Sequence, residues 1–192
     1  MNIAKLVRQN RSFRRFHQGH AVSMDTLRGL VELARLSASG GNQQPLRFLL
    51  SCEPARNALI FPTLAWAAHL RPWTAPAEGE RPSAYIVILT DTRFSKAPHY
   101  DAGIACQSIM LGASEQGLGG CIVGAIKQEV LRSALNIPEE YAILLVLALG
   151  KPKETVKIEA TREGDIRYWR TTDDVHHVPK RALDELIVEF GA

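Results

Sequence analysis

Two stretches of this chain are apolar at every position: Tyr85-Ile86-Val87-Ile88-Leu89 and Ile143-Leu144-Leu145-Val146-Leu147-Ala148-Leu149. A strand with one wet face alternates apolar and polar residues. An unbroken apolar strand therefore belongs to a sheet that is covered on both faces. Both runs are far shorter than the roughly 20 apolar residues that cross a bilayer. The cover must come from helices. Residues 24–37 supply one: Ser23 is a good N-cap, Asp25 suits a helix N-terminus, and Leu27, Leu30, Val31 and Ala34 recur at helical spacing. Residues 99–117 supply another. There Ala102, Ile104, Ala105, Ile109, Met110, Leu111 and Ala113 wrap most of the circumference, which places the helix centrally or in a subunit interface.

The remaining elements are shorter. Helices are expected over 3–9, 127–135 and about 180–188. Strands are expected at Phe48-Leu49-Leu50, at Cys121-Ile122-Val123 and over 166–169 within an otherwise polar stretch from 151 to 177. Residues 54–82 hold Pro54, Pro62, Pro72, Pro76 and Pro82 together with Trp66 and Trp73, and read as one or two short helices and then an irregular excursion. Helices alternate with buried strands, no repeat or linker divides the chain, and residues 1–192 read as a single domain.

Composition narrows the function classes. Hydrophobic residues make up 46% and charged residues 22%, which excludes global disorder. The net charge of +3 is too small for a dedicated nucleic-acid binder. Cys52, Cys106 and Cys121 form no CxxC pair, and their odd number argues against a disulfide framework, so a reducing cytoplasm is the simplest compartment. No signal-peptide apolar stretch opens the chain. The six histidines show no HExxH or similar metal spacing, and no nucleophilic triad is recognisable.

Four segments carry chemistry. In Arg11-Ser12-Phe13-Arg14-Arg15-Phe16, guanidinium forks and a hydroxyl match phosphate oxygens. Read alone, the segment is better taken as a solvated basic surface turn, since basic clusters are common on surfaces. In Ser39-Gly40-Gly41-Asn42-Gln43-Gln44-Pro45, glycines allow close approach of the backbone to a flat ligand, and carboxamides can bond along a heterocycle edge; alone, it is a helix-terminating loop. Gly117-Leu118-Gly119-Gly120-Cys121-Ile122-Val123-Gly124-Ala125 is glycine-rich but matches neither the dinucleotide fingerprint nor a P-loop. Its backbone amides suit an anion or electron-rich ring atoms. Lys180-Arg181, after His176-His177, adds two late cations that read alone as a basic helix start.

In order and spacing these segments resemble the nitroreductase-like flavoproteins: R-S-x-R-x-F, then S-x-x-N-x-Q-P, then G-L-G-x-C, then a late K-R. Asp101 and the Gly150-Lys151-Pro152 closure fit the same pattern. The resemblance implies an α+β fold, with a mixed, mostly antiparallel sheet between helices, in an intertwined homodimer with FMN at the subunit interface. It implies that Arg11, Ser12 and Arg14 hold the FMN phosphate and ribityl chain, helped by Lys180 or Arg181. Ser39, Gly40 and Asn42 would come from the partner subunit, and Ile122, Val123, Gly124 and Ala125 would lie near the isoalloxazine ring. The implied reaction is ping-pong: NADH or NADPH gives hydride to the flavin N5, and a small organic acceptor such as a nitroaromatic or quinone is then reduced.

The chain departs from the pattern at Asn10, where many members carry arginine, at Leu46, where an aromatic is frequent, and at Gly124, where some members have glutamate. No lysine is evident for the flavin pyrimidine; Arg71 is the nearest substitute. The unusual 54–82 segment keeps a second reading open, a flavin-binding or flavin-modifying protein without nitroreductase activity. A non-enzymatic nucleotide or nucleic-acid module using Arg8 to Arg15 is a third.

Overall fold

The computed structural model describes residues 2–94 and 98–190. A four-stranded antiparallel sheet organises it, in the order β1-β2-β4-β3, with β1 Leu46–Ser51, β2 Ala84–Asp91, β3 Gly119–Val123 and β4 Tyr141–Gly150. The two all-apolar runs are β2 and β4, the central pair. Every residue of β2 is buried.

Two cores, one on each face, account for the unbroken apolar run from Ala84 to Leu89 in β2. Tyr85, Val87 and Leu89 join Val146, Ala148, Ile60, Leu131 and Leu135 on one face. Ala84, Ile86 and Ile88 join Leu147, Leu149, Leu27, Leu30, Ile109 and Met110 on the other. The first face is covered by α3 Pro54–Ile60 and α5 Gln128–Leu135, and the second by α2 Met24–Arg35 and α4 Pro98–Glu115. Helix α2 begins where Ser23 Oγ accepts from Thr26 N–H at 3.0 Å, as its N-cap type predicts. Helix α5 stops at Asn136, whose left-handed backbone (φ 52°) suits a helix C-terminus. Helices α2 and α4 approach so closely at Gly112 that a Cβ there would lie 2.2 Å from Leu33 Cδ1. The short α1 Ile3–Gln9 contacts α4.

The end of the chain differs from its sequence reading. The polar stretch after 151 forms a second, three-stranded sheet: β5 Thr155–Ala160, β6 Trp169–Arg170 and β7 Val175–Lys180, in the order β5-β7-β6. The expected helix over 180–188 is absent. Residues 175–180 instead pair in parallel with β5, and only Leu183–Glu185 make a turn of 3₁₀ helix. Of the 180–188 span only Lys180 is taken up by strand pairing; beyond it Leu183, Leu186, Ile187 and Val188 are all exposed, so no packed face holds so short a helix. The strand expected over 166–169 shrinks to Trp169–Arg170, opposite His177 and His176. No helix among the described residues is long and apolar enough to cross a membrane.

Candidate functional site

The Arg11–Phe16 segment is not a loose surface turn. It runs in extended form along the end of the main sheet. Phe13 N–H donates to Gly120 O at 2.9 Å, His17 N–H to Lys151 O at 2.8 Å, and Lys153 N–H to Arg15 O at 2.9 Å. Phe16 is fully buried. The glycines of β3 make this possible. A Cβ on Gly119 would lie 2.5 Å from Phe13 Cδ2, and one on Gly120 would lie 2.4 Å from the Ala148 carbonyl oxygen. These glycines serve close packing of chain on chain rather than an open anion-binding turn.

This placement opens a cavity of about 300 Å³ lined by Arg11, Ser12, Arg14, Lys180, Gln107 from α4 and Tyr168. Its charge is one-sided. Among the described residues no carboxylate forms an ion pair with Arg11, Arg14 or Lys180. Arg11 is partly desolvated, which lowers its pKa; its Nη2 donates to Val7 O at 2.6 Å, while its buried Nε has no partner. The Arg14 guanidinium lies 4.9 Å from the centre of the Tyr168 ring, a cation–π contact that directs it. Unpaired cations and an orphaned guanidinium N–H fit a multiply charged anion such as a phosphate.

A second cavity, of about 580 Å³, adjoins the first, and Arg14 and Ile122 line both. Its floor is Cys121 to Ala125, and its opposite wall is the 54–82 excursion, with Trp66, Arg71 and Trp73. Backbone bonds tie the excursion in place: Ala65 N–H to Ala125 O at 2.9 Å and Lys127 N–H to Thr63 O at 2.8 Å. Burial pushes the Cys121 thiol above its ordinary pKa, so it stays protonated and is no activated nucleophile. The lining is aromatic and aliphatic with two guanidiniums and no carboxylate. It suits a flat ring with electron-rich nitrogen and oxygen atoms at its edge.

The remaining expected residues are placed differently. Ser39 lines a separate cavity beside α2, β1 and α4 that shares no lining residue with the first two. Its loop is pinned by Asp101, which accepts from Ser39 Oγ at 2.7 Å and Gly40 N–H at 2.9 Å. Asn42 has a left-handed backbone (φ 54°) and accepts from Gln44 Nε2 at 3.1 Å. A single chain thus does not bring Ser39, Gly40 and Asn42 to the Arg11 cavity. Of the two late cations only Lys180 reaches it; Arg181 bonds Glu185 at 3.4 Å. The sequence reading missed Gln107 and Tyr168. Gln107, with Ser108, breaks the apolar middle of α4 between Ala102 and Ala113, which is a usable signal, whereas nothing local marks Tyr168.

The chain belongs to the nitroreductase family, whose sequence model matches residues 7–151. A relative from Archaeoglobus fulgidus, provisionally named an NADH dehydrogenase/NAD(P)H nitroreductase, is 28% identical over 158 residues, covering 78% of this chain and 85% of the relative. A 5,6-dimethylbenzimidazole synthase from Rhodospirillum rubrum is 25% identical over 162 residues, covering 69% of this chain and 74% of the relative. Among solved structures, a provisionally named nitroreductase from Desulfovibrio desulfuricans in complex with FMN superposes with a TM-score of 0.70 at 24% identity, over 100% of this chain and 98% of the other. A nitroreductase family protein from Clostridium novyi gives 0.65 at 20% identity, over 93% and 95%.

Proposed function

We propose that the chain binds FMN and passes electrons from NADH or NADPH to a small organic acceptor, a nitroaromatic, quinone or similar molecule, in two half-reactions at one site. The observation that carries this reading is the pair of adjoining cavities. One presents Arg11, Arg14 and Lys180 without carboxylate partners, the other is walled mainly by aromatic and aliphatic side chains, and Arg14 joins them. A mononucleotide with a phosphate at one end and a ring at the other has this shape and charge. The FMN named for the Desulfovibrio relative and the NAD(P)H named for the Archaeoglobus relative agree with it.

In this reading Arg11, Arg14 and Lys180 bind the phosphate, with the Ser12 hydroxyl as a further donor. Ile122 to Ala125 support the ring, and Arg71 supplies a positive charge on its pyrimidine side. Trp66 and Trp73 exclude water from the acceptor position. FMN supplies the two-electron carrier, which explains why no protein nucleophile is needed. Ser39, Gly40 and Asn42 complete the site from the partner subunit of a homodimer, since within one chain they lie at a different cavity.

The decisive experiment is the visible spectrum of the purified protein, followed by heat release of its chromophore and anaerobic addition of NADH or NADPH. Yellow protein that releases FMN and bleaches with pyridine nucleotide supports the reading. A colourless protein that cannot be reconstituted with FMN overturns it. Bound flavin that pyridine nucleotide fails to bleach favours the second reading, a flavin-modifying protein, for which the dimethylbenzimidazole synthase relative is the motive.

A further inference from the structure

One buried carboxylate touches both halves of the site without lining either. The Glu154 side chain is fully buried. Its Oε1 accepts from the backbone N–H of Arg14 and, at 3.2 Å, from that of Arg15. Its Oε2 takes the Arg170 guanidinium at 2.7 Å. That guanidinium lies 4.9 Å from the centre of the Trp73 ring, and Trp73 walls the larger cavity. On the other side, Arg14 rests on Tyr168, which packs edge-on against buried His176 with ring centres 5.3 Å apart. His176 Nδ1 is 3.9 Å from Glu154 Oε2, too far for a hydrogen bond.

We propose that Glu154 is a positioning residue for the flavin site, with a separate task for each oxygen. Oε1 fixes the backbone at Arg14, and so the point at which the phosphate cavity meets the ring cavity. Oε2, through Arg170, holds Trp73 against the acceptor side of the ring cavity. The proposal rests on the FMN reading above. It goes beyond that reading by assigning control of the acceptor pocket to a residue that touches neither flavin nor acceptor.

The geometry explains why a carboxylate stands here. Three donors from two directions need an acceptor with two oxygens and no proton. A glutamine can satisfy only one direction. With its oxygen at the Arg14 and Arg15 amides, its –NH₂ group must face the Arg170 guanidinium, donor against donor. Arg170 then loses its anchor, and Trp73 loses the cation that rests on it. An alanine removes both tasks.

The test compares Glu154→Gln, Glu154→Ala and Arg170→Met, each purified as holoprotein. The readouts are FMN dissociation constant, the rate of flavin bleaching by NADH or NADPH, and steady-state kcat and KM for a nitroaromatic and a quinone. Glu154→Gln should keep FMN affinity within about twofold of wild type and raise acceptor KM about tenfold at nearly unchanged kcat. Arg170→Met should show the same KM rise. Glu154→Ala should add a loss of FMN affinity of about tenfold or more, which Glu154→Gln rescues. Should Glu154→Ala fail to fold, Glu154→Gln and Arg170→Met still decide the matter. Parallel loss of FMN in Glu154→Gln and Arg170→Met, or an unmoved acceptor KM in both, overturns the proposal. Wild type without FMN overturns the underlying reading instead, so the two failures are distinct.

Discussion

The carboxylate of Asp101, in the first turn of α4, accepts from the Gly40 backbone N–H at 2.9 Å, 61 residues away in the chain. The same side chain takes the Ser39 hydroxyl, whose oxygen accepts in turn from Gln44 N–H at 2.9 Å. One buried carboxylate thereby sets the form of the loop that links α2 to β1. Asp101→Ala should leave a Gly40 amide without its partner and cost about 2 kcal/mol, the usual range for a partly buried donor stripped of a charged acceptor. Urea unfolding of the FMN-free protein measures this. If the loop also completes the partner's flavin site, FMN affinity should fall in the same variant. Unchanged unfolding and unchanged affinity would show that the loop holds its form without Asp101.

The legibility of the molecule follows the range of the interactions. The central strands and α1, α2, α4 and α5 are written in local periodicity, and the structure places them within a few residues of their sequence bounds. Strand β5 has a local signal too, the alternation of Val156, Ile158 and Ala160 between polar residues, but it is short and pairs with a strand 20 residues on. The fate of Val175–Lys180 is set by that pairing, not by its own residues. In the site, Arg11, Ser12 and Arg14 are neighbours in sequence and line one cavity, whereas Lys180, which lines it too, is brought there from the far end of the chain by the β5–β7 pairing and carries no local mark of it. Glu154 was invisible because its meaning lies 140 residues away, at Arg14.

The glycines of the G-L-G-x-C region should divide sharply on substitution. Gly120→Ala puts a Cβ 2.4 Å from the Ala148 carbonyl oxygen, a backbone atom that cannot move aside without breaking the β3–β4 pairing. It should destabilise the fold by several kcal/mol or prevent folding. Gly124→Ala meets only Leu145 Cδ2 at 3.6 Å, an ordinary contact. Its thermal midpoint should stay within about 2 °C of wild type. Any loss of flavin in Gly124→Ala can then be assigned to the site rather than to the fold.

Lys180 and Arg181 are adjacent, yet only the first lines the cavity of Arg11 and Arg14, to which the FMN reading assigns the phosphate. Lys180→Ala should raise the FMN dissociation constant about fivefold, with a weaker dependence on salt, because one cation facing the phosphate is lost. Arg181→Ala removes a surface pair with Glu185 and should leave affinity unchanged. Titration of apoprotein with FMN at two ionic strengths compares them. Equal losses in the two variants would mean that the C-terminal segment moves when FMN binds.

His176 makes stability depend on pH in a defined window. It is fully buried, neither ring nitrogen has a hydrogen-bond partner, and burial, with help from Arg14, Arg170 and His177, lowers its pKa from 6.5 to about 4. In the unfolded chain the imidazole takes a proton below about pH 6.5, whereas the folded protein takes it only near pH 4. Between these values the unfolded state binds more protons. Stability is therefore full above pH 6.5 and falls as pH drops toward 4, by at most about 3 kcal/mol from this group. Glu80 adds a separate loss at lower pH: its hydrogen bond to Arg15, then that to Lys153, holds its pKa near 2, so its stabilising effect disappears only as pH falls from about 4.5 to 2. His176→Leu should remove the slope between pH 6.5 and 4 and leave the lower one. Denaturant midpoints measured at half-unit intervals resolve the two. A slope in His176→Leu equal to that of wild type would assign the upper transition to another group.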